Sequence, residues 1–141
     1  MQWNKAAFTL TDEPPANSLE ATYQLLSRTY WAQNRPLEKV EGILAQSLCV
    51  YLLNGTQQQI GFARVISDYV TTAWVADVVV AEAYRGQGLG AWMVTCLMAH
   101  PQVKGAQFIL QTKDAHRFYE QFGFEQNSAL MSTRVDHLPP G

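Results

Sequence analysis

The segment that most limits how this chain can fold runs from Ala73 to His100. Its first part, to Ala81, is apolar except for Asp77. A turn carrying Gly86, Gly88 and Gly90 follows, and it opens a helix-patterned stretch from Gly88 to His100 that Pro101 stops. A buried strand therefore feeds a glycine turn that leads straight into a helix. Glycine lets a backbone approach a ligand closely and take conformations that side chains forbid. The free N–H groups of a helix start, together with the positive end of its dipole, form an anion site. Arg85 adds a forked donor suited to phosphate. The segment suits a pyrophosphate, although a tight strand-to-helix turn alone would also use glycines.

Two other glycine loops fit less well. Gly86-x-Gly88-x-x-Ala91 satisfies the loose form of a dinucleotide fingerprint. A hairpin precedes it, however, and the next strand ends at Leu110-Gln111 without an acidic residue for a ribose. No Gly-Lys-Ser/Thr follows, which removes the P-loop reading.

Around this segment the pattern predicts a layered domain. Phe8 to Leu10 reads as a short strand ended by Pro14-Pro15. Ser18 is the expected N-cap of a helix reaching about Thr29, with Leu19, Tyr23, Leu26 and Tyr30 on one face. Pro36 opens a second helix to about Gln46. Leu48–Leu53, Ile60–Ser67 and Ala73–Ala81 read as strands joined by Asn54-Gly55 and Asp68–Thr71, an antiparallel meander. Gln107–Leu110 is a further strand and Asp114–Phe122 a helix with Gly123 at its C-terminal cap. An extended region from Phe124, including Ala129–Val135, closes the pattern. The order implies an α+β fold with a mixed, mostly antiparallel sheet and helices on both faces.

The 141 residues, 48% hydrophobic and 16% charged, fit one domain spanning 1–141. A net charge of −2 with no run of Lys and Arg argues against nucleic acid as the main partner. No apolar segment approaches the ~20 residues that span a bilayer, and no secretory signal is visible, so membranes are not expected and the cytoplasm is the default location. Cys49 and Cys96 lie in apolar runs and read as reduced and buried. His100, His116 and His137 are scattered, and no metal site is expected.

Arg85-x-x-Gly88-x-Gly90, approached by Val80 to Tyr84, resembles the pyrophosphate loop of the GCN5-related N-acetyltransferases (GNAT). Ala115-x-x-Phe118-Tyr119-Glu120-x-x-Gly123-Phe124 resembles that family's second motif, in the right order and with a helix and a strand between. The resemblance covers about residues 47 to 125. It implies an acetyl-CoA-dependent N-acyltransferase in which main-chain groups of Val78, Val79 and Val80 meet the pantetheine arm. Arg85, Gly86, Gln87, Gly88, Leu89, Gly90 and Ala91 would hold the pyrophosphate. Ala115 and Thr112 would complete the cofactor site, Thr112 standing where many relatives have Asn. Tyr119 would protonate the departing thiolate, a role open to a phenol of pKa ~10. On its own pattern, Tyr119 also belongs to an apolar stripe with Ala115, Phe118 and Phe122. A homodimer is a family-level expectation.

The acceptor, a small-molecule or protein amine, is less constrained. Asp77 is a candidate base or ammonium contact, and equally a cross-strand partner of Arg64. Glu82 is the other candidate base. Trp31 is turned ~100° from the Tyr30 stripe, with Arg35 one helical turn beyond. In the family this helix-to-helix region walls the acceptor, so Tyr30, Trp31 and Arg35 would suit an apolar body bearing a carboxylate or phosphate. Asp68 is a further acceptor candidate, though turn chemistry also explains it. The overall negative charge leans towards cationic amines. The competing reading is a non-catalytic acyl-CoA-binding or partner-binding module, which could dispense with Tyr119 and Asp77.

Overall fold

In the computed structural model, which describes residues 1–133, one six-stranded sheet follows chain order from β1 to β6. The strands are β1 (Gln2–Lys5), β2 (Phe8–Thr11), β3 (Leu48–Leu53), β4 (Gln59–Ser67), β5 (Thr72–Val80) and β6 (Gln107–Ile109). Neighbours from β1 to β5 run antiparallel, and β6 lies parallel to β5. A parallel neighbour needs a crossover, supplied here by helix α3 (Leu89–Met98). Helices α1 (Ser18–Ser27) and α2 (Leu37–Gln46) fill the connection between β2 and β3, and α4 (His116–Glu120) follows β6.

Side-chain alternation sorts the core into two layers. Leu48, Val50 and Leu52 of β3 join Leu89, Met93 and Leu97 of α3 in one cluster. Cys49 and Tyr51 point to the other face, with Leu26 of α1 and Val40 of α2. Because both faces are covered, all six residues of β3 are buried, which explains its unbroken apolar sequence.

β5 changes its facing part-way along. Ala73 and Val75 belong to the α3 layer, yet beyond Asp77 it is Val78 and Val80 that pack there, while Val79 joins the α1/α2 layer. The pairing with β4 shifts between Phe62↔Val79 and Arg64↔Ala76, so Asp77 and Val78 together oppose Ala63. This is a β-bulge, and Asp77 occupies its left-handed position at φ 55°, where glycine is usual.

Several boundaries differ from the sequence expectation. Phe8–Thr11 has a partner strand that the pattern did not announce, because β1 is an exposed edge with Trp3 its one apolar residue and an Ala6-Ala7 turn without Gly or Asn. Asn17, not Ser18, is the residue before α1; its left-handed backbone (φ 62°) starts the helix without a side-chain cap. Thr29 Oγ1 donates to the Leu26 carbonyl and accepts the Ala32 N–H, turning the chain after Ser27. The helix expected over Asp114–Phe122 is α4 alone, tightened at its end by bonds from Phe122 N to Tyr119 O and from Gly123 N to Glu120 O. No strand follows α4 among the described residues; the Asn127 side chain accepts the Ala129 N–H in a turn, and Val135 lies outside the described residues.

Gly61 allows β4 its close approach to both neighbours. A Cβ there would stand 3.0 Å from Leu52 side-chain carbons and 3.1 Å from the Val79 carbonyl. Gly61→Ala is expected to lower the unfolding free energy by about 1–3 kcal/mol in urea titrations, the usual cost of overpacking.

Candidate active site

β5 and β6 pair only from Thr72↔Gln107 to Trp74↔Ile109, after which the two strands part. The peptide groups of the second half of β5 are thereby left without a strand partner on that side. The Ala81 N–H donates to Ile60 O at 2.7 Å, so the Val80 carbonyl on the other side of the same peptide unit points away from β4. By alternation, the main-chain groups of Val78 face the same way. Arg85 Nε donates to the Val80 carbonyl at 2.9 Å.

This opening is a cleft of about 330 Å³. All the cofactor positions expected from the sequence line it except Gln87 and Thr112, and Tyr84 and Phe118 line it as well. Gln87 turns back to the Tyr84 carbonyl. Thr112 Oγ1 accepts the Ala115 N–H, shaping the approach to α4. Gly86 and Gly88 have φ of 84° and 81°, and a Cβ at either would meet nothing, so conformation rather than space demands glycine there. Gly90 instead sits under Phe118 and Val80, where a Cβ would lie 3.7 Å from the Phe118 ring and 3.9 Å from a Val80 methyl. α3 starts at Leu89 with no side-chain cap and no acid in its first turn, which leaves its N–H groups and positive dipole end open to an anion.

Tyr119 stands at one end of the cleft, 6% exposed, its ring edge-on to Phe118 at 4.9 Å and to Phe124 at 5.8 Å. Its hydroxyl has no hydrogen-bond partner among the described residues. Burial, with a smaller contribution from the Asp114 charge, pushes the phenol up to about 12. Tyr119 also borders a second cavity of about 520 Å³, between β6 and residues 124–130.

The candidate acceptor residues form a separate group beside the cleft. Asp77 is 2% exposed and accepts three hydrogen bonds: Trp31 Nε1 on Oδ1 at 2.9 Å, and Arg35 Nη1 and Arg64 Nε on Oδ2 at 2.8 and 2.7 Å. Burial pushes its carboxyl up, but the charges of Arg64 and Arg35 outweigh burial and hold it below the usual carboxylate range. Tyr30 is exposed; its ring packs edge-on to Trp31 at 5.2 Å, and its hydroxyl donates to Asp114 Oδ1 at 3.2 Å. Asp68 is consumed by its own turn, accepting from the N–H groups of Val70, Thr71 and Thr72 and from the Thr71 hydroxyl. Glu82 is exposed on a short 3₁₀ turn, Glu82–Tyr84.

Sequence reasoning anticipated Asp77 opposite Arg64 but not its further grip on Trp31 and Arg35, more than forty residues away. Asp114 was missed as a site residue; its link to Tyr30 spans 84 residues and leaves no local signal. Ser47, whose hydroxyl accepts from Arg64 Nη1 at 3.2 Å, was missed for the same reason. Among the described residues no three acidic, His or Cys side chains converge on a metal-sized site, and no helix is long and apolar enough to cross a membrane.

Residues 45–126 match the family model for the acetyltransferase (GNAT) domain. A solved structure from Xanthomonas campestris pv. campestris, assigned to the GNAT acetyltransferases, has a TM-score of 0.85 at 34% identity, covering 93% of this chain and 95% of its own. A Gibberella zeae protein provisionally named an acetyltransferase is 25% identical, over 87% of this chain and 82% of its own length. A Glycine max protein named a histone acetyltransferase is 32% identical over 72% of this chain, which spans about half (49%) of that relative.

Removing Asp77 leaves two guanidiniums facing each other without their carboxylate. Asp77→Ala is expected to cost about 3–5 kcal/mol of unfolding free energy at neutral pH. Because the folded-state pKa of Asp77 is depressed, its contribution is present above the ordinary carboxylate range and is lost as pH falls through the folded value. Urea unfolding followed from neutral pH into acid should therefore show a shallower acid loss in the variant than in the parent.

Proposed function

The chain belongs to the GNAT acetyltransferases, and we propose that it moves the acetyl group of acetyl-CoA to an amine by direct attack. The observation that carries this reading is the cleft itself. It brings a strand edge without a strand partner, a glycine turn on an uncapped helix and a buried phenol, its hydroxyl without a partner among the described residues, into one continuous lining. Acetyl-CoA supplies a thioester whose carbonyl carbon receives the amine.

The chain's residues fit each part of such a ligand. Main-chain groups of Val78 and the Val80 N–H face the opening and suit an amide-bearing arm, as a further strand would, while the Val80 carbonyl is held by Arg85. The open N–H groups from Gly86 to Ala91, with Arg85, suit a pyrophosphate. Arg85 would leave the Val80 carbonyl to do so. A main-chain N–H in the stretch from Val78 to Val80 would polarise the thioester carbonyl.

Tyr119 stays protonated throughout the neutral range. A thiolate with a conjugate pKa of about 8.5 is a weaker base than a phenolate held near 12, so complete transfer from Tyr119 to sulfur runs uphill. The hydroxyl therefore acts by donating a hydrogen bond to sulfur as charge develops there, and any proton it passes on is replaced by one the amine gives up. Asp77 has about four lone-pair sites, three of them already engaged, which suits it to positioning Trp31 and Arg35 rather than to accepting a proton. Glu82, exposed at the end of β5, is then the carboxylate free to take the amine proton through water. Tyr30, Trp31 and Arg35 would face the acceptor.

Two measurements test this reading. Calorimetric titration should show acetyl-CoA binding that Arg85→Glu weakens strongly; no heat with either acetyl-CoA or CoA would remove the enzyme reading. Tyr119→Phe should lower kcat for thiol release by ~10²-fold while leaving acetyl-CoA affinity unchanged, since the hydroxyl has no structural partner to lose among the described residues.

A further inference from the structure

The Asp77 cluster contains two cations and one anion. Arg35 and Arg64 share a single carboxylate oxygen, and the remaining bond of Arg64 goes to a neutral hydroxyl, Ser47. No other ion pair reaches either guanidinium among the described residues. Asp114 is held by Tyr30, whose ring packs on Trp31. Among the described residues one positive charge is therefore uncompensated.

Directional donors are also left over. A guanidinium carries five N–H groups, yet Arg35 uses one nitrogen and Arg64 two. Buried side-chain nitrogens or oxygens without a partner are limited, among the described residues, to Gln59 Oε1. The free guanidinium nitrogens therefore lie where solvent or a ligand reaches them. The two side chains are nonetheless only 14% and 13% exposed. Charge in such a half-buried wall attracts an anion more strongly than charge on an open surface.

The cluster stands beside the reacting end of the cleft. Asp77 directly precedes Val78, which lines the cleft, and Tyr30, packed on Trp31, bonds to Asp114, which directly precedes the cleft residue Ala115. Resting on the acetyltransferase reading above, we propose that the acceptor carries an anionic group, carboxylate or phosphate, a short chain away from its amine. Arg35 and Arg64 receive that group, and Trp31 covers the apolar chain between. The overall charge of −2 does not oppose this, because charges spread over the surface are screened beyond roughly 8–10 Å while the guanidiniums would touch the ligand.

The test offers γ-aminobutyrate, aminopropyl phosphate, butylamine and putrescine as acceptors with saturating acetyl-CoA, following thiol release. The anionic amines are expected to exceed butylamine in kcat/KM by roughly tenfold or more. Arg35→Gln should remove that advantage through KM, and Arg35→Lys should restore part of it. The better of the two anionic amines identifies carboxylate or phosphate as the group received. A preference for butylamine or putrescine, or an unchanged preference in Arg35→Gln, overturns the proposal. Acetate and inorganic phosphate are also titrated onto the CoA-bound protein, reading the Trp31 fluorescence as the difference from Trp31→Phe. A saturable change that Arg35→Gln abolishes is expected, and no change with either anion overturns the proposal even if no amine turns over. Calorimetry with acetyl-CoA on the same preparations separates the two readings. Failure of acetyl-CoA to bind counts against the enzyme, while loss of the anion response alone counts against the acceptor class.

Discussion

The fold around the site depends on one carboxylate held in a left-handed turn of backbone. Asp77 takes a conformation that an L-residue with a side chain rarely adopts, and two guanidiniums and an indole fix it there. Asp is among the few residues that tolerate that region, and here its side chain is also the anchor. The extra residue reverses which face of the sheet β5 presents. Beyond it, Val79 completes the α1/α2 layer and Val78 and Val80 turn to α3.

That reversal lets β5 serve both layers along its length, as β3 does by simple alternation. The grip on Asp77 comes from the connection between α1 and α2, which carries Trp31 and Arg35, and from Arg64 of β4. Its effect is felt on the opposite side, where β5 leaves β6 and its peptide groups become available. The Trp31–Arg35 flank and the cleft thus meet at a single bulged residue, Asp77, whose chain neighbour Val78 lines the cleft.

Much of this was legible in the amino-acid order where the determinant is local. β3 is apolar throughout and bounded by Ser47 and Asn54, so its ends agree with the expectation. The glycine turn announces itself because the positive φ of Gly86 and Gly88 is a single-residue property. Tyr119 lines the cleft, and its membership of the aromatic stripe holds, since it packs on Phe118 and Phe124. What escaped is non-local or against type. The bulge is invisible because Asp, not Gly, fills it. The edge strand β1 escaped because it buries almost nothing. Asp114 escaped because only folding brings it to Tyr30.

The bond from Arg85 to the Val80 carbonyl has a meaning separate from ligand recognition. Where β5 parts from β6, the protein carries the edge of an unfinished sheet, the kind of edge on which an extended chain can pair. A guanidinium seated on that carbonyl keeps the position occupied by the protein itself. An edge covered in this way by a charged side chain of its own chain is a poorer template for a foreign strand.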